Sequence, residues 1–331
     1  MASSSAQSTS TSLSWDQIVH VYETAQSKKA SSWTQTSPRV IDDSSIPFLL
    51  KVATVLRDKP TAPTPDAPST TATTTKKPWK NPFLPPDPDL FVCHLLPPHH
   101  THSLVLNKFN IVPHHALVIT RDFVPQEDPL TEADLEATWQ VMSVMPGGAL
   151  AYFNRGSVSG ASQPHKHLQV VPLPLNDLNE YKDRDPPFAA LIRGATASHP
   201  PGPPGVLQLP DVPFACYVAR LDVKAGVQES GRTPSNGAGK MLKETYDALV
   251  ERSQQLHATT STCTTTFSFN LIMTQDFMMV VPRSAEGLGP VKANAMAYAG
   301  SFFVRGEDEL EYIEAQGPLH VLTALGYPVA S

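Results

Sequence analysis

The stretch Gly160-Ala-Ser-Gln-Pro-His-Lys-His-Leu-Gln169 sets His165, His167 and Gln169 at strict alternation, and the run continues through Val170-Val171-Pro172. Successive side chains of a β-strand point to opposite faces, so a period of two fixes a strand here. The two imidazoles and the carboxamide then look into one pocket, with Lys166 and Leu168 on the other side. Three readings of that face compete: a pair of histidines satisfied by local hydrogen bonds, two ligands of a metal ion, and a histidine nucleophile. An imidazole is a neutral nucleophile near neutral pH because its ordinary pKa is about 6.5. A glutamine two residues on donates an N–H to a developing oxyanion without adding charge. The preceding Asn154-Arg155-Gly156 and Gly160-Ala161-Ser162 supply small residues whose backbone N–H groups can approach an anion closely. A phosphate-bearing substrate beside a histidine nucleophile fits the whole segment.

Periodicity places the remaining elements. Trp15 to about Lys29 has helical apolar spacing, and Pro47–Val52 reads as a short strand. Asp89–Leu96, Thr101–Phe109, Ala116–Thr120 and Ala149–Asn154 follow as strands. Thr131-Glu-Ala-Asp134 reads as a capped helix start leading into Leu135–Met145. Farther on, Ala215–Leu221 reads as a strand and Lys240–Ser253 as a helix. Thr265–Thr274 and Phe277–Val281 pair around Gln275-Asp276, Ala299–Val304 extends that sheet, and two short helices close the chain. Strands interleaved with one long helix give an α+β sheet core rather than a regular βαβ alternation.

Composition shifts suggest the organisation: a disordered Ser/Thr tail over 1–12, a mobile Pro/Thr excursion over about 60–80, and a Pro-rich linker over 196–210. The linker divides an N-terminal domain, 13–195, from a smaller C-terminal α+β domain, 211–331. A net charge of −6 argues against a general nucleic-acid binder. No apolar run approaches the roughly 20 residues of a membrane span. Cys93, Cys216 and Cys263 are too few and too scattered for a disulfide framework or a CxxC zinc pair. The expected setting is cytoplasmic, with the nucleus as a second location. The Pro97-Pro-His-His-Thr-His102 cluster reads as exposed histidines, and no metal ligands are assigned.

The run GASQPHKHLQ resembles the H-x-H-x-Q signature of the nucleotidyltransferase branch of the histidine triad superfamily. Within that branch it is similar to the diadenosine tetraphosphate phosphorylases, also called ATP adenylyltransferases. Three further blocks appear in family order: Val55-Leu-Arg-Asp-Lys-Pro60, Leu106-Asn-Lys-Phe-Asn-Ile-Val-Pro-His-His115 with Leu117–Thr120, and Asn270–Arg283. The resemblance implies a histidine triad-like antiparallel sheet core with helices. It also implies phosphorolysis of diadenosine 5',5'''-P1,P4-tetraphosphate to ATP and ADP through a covalent AMP–histidine. On that basis His167 is the nucleophile, Gln169 lies near the non-bridging oxygens or the adenylated histidine, and His165 orients the region or touches the phosphate chain. Lys59, Lys108 and Arg283 are the expected phosphate-neutralising cations. Asn107, Asn154 and the Gly160-Ala161-Ser162-Gln163 segment are expected to hold ribose or phosphate. Ile272, Met273, Thr274 and Met279 are expected to reach the substrate from the C-terminal half.

The implied partners are a dinucleoside polyphosphate, inorganic phosphate, ATP and ADP, with no nucleic acid or membrane, and a monomer or homodimer. No covalent cofactor is implied; Mg²⁺ is expected to accompany the phosphates. Two departures stand out: Phe277 occupies a position where the family commonly has tryptophan, and His114 one that is often acidic. The rivals are a hexose-1-phosphate uridylyltransferase-like enzyme, a dinucleoside polyphosphate hydrolase and a non-catalytic nucleotide sensor. The uridylyltransferases typically carry proline where this chain has Lys166, and the hydrolases a third histidine where it has Gln169.

Overall fold

Nine antiparallel strands form one sheet that both halves of the chain build together. The computed structural model describes residues 13–52, 79–175, 186–223, 238–260 and 266–329. The expected tail, Lys59, Cys263 and nearly all of the 60–80 excursion lie outside the described residues.

The N-terminal half contains α1 (Trp15–Ser27), β1 (Ser32–Trp33), β2 (Ser37–Asp43), β3 (Ile46–Val52), β4 (Phe91–Leu95), β5 (His102–Leu106) and β6 (Phe109–Asn110). It continues with β7 (Ala116–Thr120), α2 (Glu132–Ser143), β8 (Ala149–Arg155), β9 (His167–Pro172) and α3 (Ala189–Thr196). The C-terminal half opens with β10 (Leu207–Gln208), β11 (Tyr217–Arg220), α4 (Ala238–Thr260), β12 (Ser268–Met273) and β13 (Phe277–Arg283). It closes with β14 (Gly287–Leu288), β15 (Val291–Lys292), α5 (Ala295–Tyr298), β16 (Ser301–Val304), α6 (Glu307–Gln316) and α7 (Pro318–Leu325).

The main sheet runs β10-β11-β13-β12-β8-β9-β7-β5-β4. Alternation along its strands feeds two cores. Leu168 and Val170 of β9 pack with Ala151, Phe153 and residues of α1, α2 and α4. Val171 packs on the opposite face with Leu150, Tyr152, Ile272 and residues of β3, α3, α5, α6 and α7. Helix α2 starts where the sequence indicates. The Thr131 hydroxyl accepts from the Asp134 N–H, and the Asp134 carboxylate accepts from the Thr131 N–H at 2.6 Å. Such a cap contributes about 1 kcal/mol.

Two expectations need correction. Ala299–Val304 does not extend the main sheet: β16 pairs parallel with β3, which pairs antiparallel with β2 in a separate three-stranded sheet. A parallel partner reached by a long crossover leaves no local sequence signal. The Pro-rich 196–210 segment is no free spacer. Pro203–Gly205 forms a short 3-10 turn, Gly202 donates to the Arg220 carbonyl, and Gly202 and Gly205 are buried. The two halves also share the main sheet, because β12 pairs with β8 over Phe269↔Arg155 to Met273↔Ala151.

Gly156, just past β8, holds φ at +95°, and a Cβ there would lie 2.6 Å from the Ser268 Cα of β12. Gly156→Ala is expected to cost about 3 kcal/mol of stability, read as a lowered midpoint in thermal or urea melts. A wild-type midpoint would mean that this seam has slack to give.

Candidate active site

His167 opens β9, and its ring is hooked in place by the chain just before it. His167 Nδ1 donates to the His165 carbonyl at 2.8 Å. A carbonyl only accepts, so Nδ1 carries the proton and the lone pair lies on Nε2. That is the tautomer in which the outer nitrogen is the nucleophile.

His165 shares the face but not the chemistry. It is 0 % exposed and sits two residues before the strand, at a bridge to Pro125. Its Nε2 donates to the Thr120 carbonyl at 2.9 Å, and its Nδ1 accepts from Asn81 Nδ2 at 3.0 Å. Burial lowers its pKa, against opposing hydrogen bonds to the backbone of Thr120 and Asp122. The Phe83 ring lies 5.6 Å from the His165 ring and 5.4 Å from the His167 ring, which places both imidazoles on one side of the strand. Lys166 points the other way, where its ammonium bonds the Pro129 carbonyl at 2.8 Å and Asp134 at 3.4 Å.

Gln169 ends a relay of hydrogen bonds. Asn107 Nδ2 lies 3.2 Å from His115 Nδ1, His115 Nε2 lies 3.4 Å from the Tyr152 hydroxyl, and Tyr152 donates to Gln169 Oε1 at 2.8 Å. With Oε1 accepting from Tyr152, the N–H groups of the half-buried Gln169 remain as donors. An oxyanion wants that polarity. Tyr152 is held neutral, since burial pushes its pKa up.

A cavity of about 750 Å³ opens beside these groups. Phe83 lines it, as does Leu117, which sits across the ladder from Gln169. Its walls also carry Asn107, Lys108, Ser162 and Gln163 from the expected set, joined by Trp79 and Phe109. Trp79 donates from Nε1 to Gln163 Oε1 at 3.2 Å, which ties the two sides of the mouth together. Gly160 and Ala161 lie in the same loop without lining the cavity. Gly160 has φ +81°, and a Cβ there would lie 3.0 Å from both the Ala293 carbonyl oxygen and the Asn294 Cβ.

Other expected contacts turn out to belong to the frame. Arg283 is 1 % exposed, and its N–H groups are committed to Asn270 Oδ1 and the carbonyls of Leu325, Ala293, Ala285 and Glu286. It has no donor left for a phosphate. The Asn154 Oδ1 is committed as well, accepting from Asn270 Nδ2 and from the Ala295 N–H. Ile272, Met273 and Met279 are core residues, and Thr274 accepts from the Asp276 and Phe277 N–H groups in the β12–β13 turn. Nor is the histidine cluster wholly exposed. His102 is buried and bonds Asp134 at 2.8 Å. Burial alone would raise the Asp134 carboxyl, but His102, the Thr131 N–H and Lys166 outweigh it and lower its pKa.

Sequence reasoning missed Trp79, Asn81 and Phe83, which follow directly on the Pro/Thr-rich tract and read as part of it. It also missed Tyr152, which reads as one more apolar strand residue, and Gln126, which carries no local signal.

His167, hooked at Nδ1, and Gln169 lie behind Phe83 and Leu117 of the cavity rather than in its lining, an arrangement that suits a nucleotidyltransferase. Comparison with known proteins agrees. Residues 4–192 match the family model of the Ap4A phosphorylase N-terminal domain, and residues 210–328 that of the ATP adenylyltransferase C-terminal domain. The chain therefore belongs to the Ap4A phosphorylase (ATP adenylyltransferase) family. It is 30% identical over 247 residues to diadenosine 5',5'''-P1,P4-tetraphosphate phosphorylase 2 of Saccharomyces cerevisiae, covering 70% of this chain and 71% of that protein. To Protein APA1 of the same yeast it is 26% identical, covering 70% of each chain. The crystal structure of yeast Ap4A phosphorylase Apa2 in complex with AMP superposes with a TM-score of 0.74 at 25% identity, covering 95% of this chain and 96% of that one.

Two measurements test the assignment of frame and site. Arg283→Leu strips donors from three buried acceptors and two part-buried ones and is expected to destabilise by about 3–5 kcal/mol, read by denaturant titration. A folded protein of normal stability with a raised KM for phosphate would restore Arg283 to the site. The second concerns pH. His165, and likewise His114, has a pKa lowered by burial, so the unfolded chain takes up the proton first. Stability is therefore expected to fall as pH drops below about 6.5, and to fall less in His165→Gln. Thermal melts from pH 7.5 to 5.5 check the sign.

Proposed function

We propose that this chain catalyses the reversible phosphorolysis of diadenosine 5',5'''-P1,P4-tetraphosphate to ATP and ADP through an adenylylated His167. The observation that carries the reading is the fixed Nδ1–H tautomer of His167 beside the cavity. Family membership and the 30% identity to the yeast phosphorylase support it.

In the first half-reaction the His167 Nε2 lone pair attacks the α-phosphorus. A P–N bond forms, the bond to the bridging oxygen breaks, and ATP leaves with the electron pair. The positive charge on the imidazole is shared with its Nδ1–H, which keeps its hydrogen bond to the His165 carbonyl. Gln169 N–H donates to a non-bridging oxygen as charge builds there. In the second half a phosphate oxygen attacks the same phosphorus from the side ATP vacated, the P–N bond breaks and ADP leaves. One displacement is split into two in-line steps at one histidine, and because the second acceptor is phosphate rather than water the anhydride energy is retained in ADP.

Lys108 and Lys59 neutralise the polyphosphate, and Asn107 and the Gly160–Gln163 segment hold ribose and phosphate. Trp79, Phe83 and Phe109 provide apolar walls for a base. Mg²⁺ enters with the phosphate chain as part of the substrate. No helix among the described residues is long and apolar enough to cross a membrane. Cys93 and Cys216 are free thiols, which suits the reducing cytoplasm or nucleus.

Product analysis with diadenosine tetraphosphate, with and without inorganic phosphate, tests the reading. The expected result is phosphate-dependent ATP plus ADP, abolished in His167→Ala. Formation of ATP plus AMP without phosphate would make the protein a hydrolase. Binding without turnover would make it a sensor.

A further inference from the structure

The ladder between β8 and β9 stops at Tyr152↔Gln169. Carrying that register two residues on would set Asn154 opposite His167, and a side chain occupies the rung instead. Gln126 accepts from the His167 N–H through Oε1 at 2.9 Å. Through Nε2 it donates to the Asn154 carbonyl at 2.8 Å and to the His167 carbonyl at 3.4 Å. Gln126 is 3 % exposed. The loop after β7 delivers it by running beside the approach to β9: Lys166 N–H donates to the Val124 carbonyl and Gln126 N–H to the Pro164 carbonyl, both at 2.8 Å.

Neighbouring strands lie about 4.8 Å apart when their peptides bond directly. An intervening amide holds two peptides farther apart, so the seam opens at the very residue that carries the reacting imidazole. One planar amide that belongs to neither strand grips both polar ends of the His167 residue. The ring is then held at its far side by the Nδ1 contact to the His165 carbonyl. Backbone and ring are each pinned, and Nε2 has one direction to point. Gln126 also ties this residue to Asn154, whose side chain is clamped by Asn270 and the Ala295 N–H from the C-terminal half.

We propose that Gln126 is a positioning residue for the adenylyl-transfer step: it replaces a strand rung so that the His167 backbone, and with it Nε2, is aimed in line with the α-phosphorus. It acts through His167 and touches no substrate. The inference rests on His167 being the nucleophile. A direct β8–β9 rung would tie His167 to the twist of the sheet, whereas an inserted amide sets its placement independently.

The test measures single-turnover formation of adenylyl-enzyme with diadenosine tetraphosphate for wild type, Gln126→Met, Gln126→Glu and His167→Ala. Methionine keeps the length and loses every hydrogen bond; glutamate keeps the acceptor for the His167 N–H and loses the donor to Asn154. A reacting group misplaced by about 1 Å loses about 100-fold in rate, so Gln126→Met is expected to fall by about that factor at saturating substrate. Its KM should stay within about threefold, the pattern of a lost transition-state alignment.

Nitrogen NMR of the imidazoles should show His167 as a single Nδ1–H tautomer in wild type and as a mixture in Gln126→Met. Melting midpoints above the assay temperature keep the comparison within folded protein. Wild-type adenylation in both Gln126 variants would overturn the proposal. So would a loss confined to KM, or a loss that tracks the unfolded fraction with the tautomer unchanged. If wild type forms no adenylyl-enzyme, the nucleophile reading itself fails. That outcome is distinct, because it appears without any Gln126 substitution.

Discussion

A buried polar chain runs through the middle of the sheet, and the site is built on its end. Arg283 donates to Asn270, Asn270 donates to Asn154, the Asn154 carbonyl accepts from Gln126, and Gln126 accepts from the His167 N–H. Each link is a hydrogen bond between groups withdrawn from water, where an unmet donor or acceptor costs about 1–3 kcal/mol. Such a network tolerates little rearrangement, because moving one member strands its neighbours. Through it His167 on β9 is fixed against β8, β12, β13 and the N-terminus of α5. The two family models meet between residues 192 and 210, yet this chain of bonds crosses from one to the other.

The arrangement explains why a cation and an asparagine that look suited to a polyphosphate are spent on the interior. An arginine has donors in a fixed fork and few places to lose them. Here the fork meets carbonyls from the β13–β15 turn region and α7 together with Asn270, and the ring of Tyr298 lies 5.3 Å from its carbon. Burial lowers its pKa, but the carbonyls that surround it take up every donor direction. Of the three expected cations, Lys108 is the one the structure places at the cavity, where it is exposed.

On the reverse of the strand a second buried group does comparable work. Lys166 sits between the two motif histidines and reaches Asp134, which also caps α2 and bonds His102. Removal of one partner would leave a charge stranded in the core, so Lys166 anchors the strand from behind while His165 and His167 pack against Phe83 on the other side.

The sequence by itself determined the strand, the sharing of one face by His165, His167 and Gln169, and the opposite placement of Lys166. Those follow from a period of two, which needs no knowledge of partners. It also determined α1, the capped start of α2 and the β12–β13 hairpin, where local rules of spacing, capping and turn composition act within a few residues. Tertiary structure alone decided the tautomer of His167, because that depends on which ring nitrogen meets the His165 carbonyl. It alone turned Arg283, Asn154 and Met279 inward, sent β16 to β3, and set Gln126 into a strand rung. Each of those outcomes depends on groups dozens or hundreds of residues apart meeting in space. A hydrogen bond between Asn154 and Asn270 spans 116 positions and leaves no periodic trace in the chain that makes it.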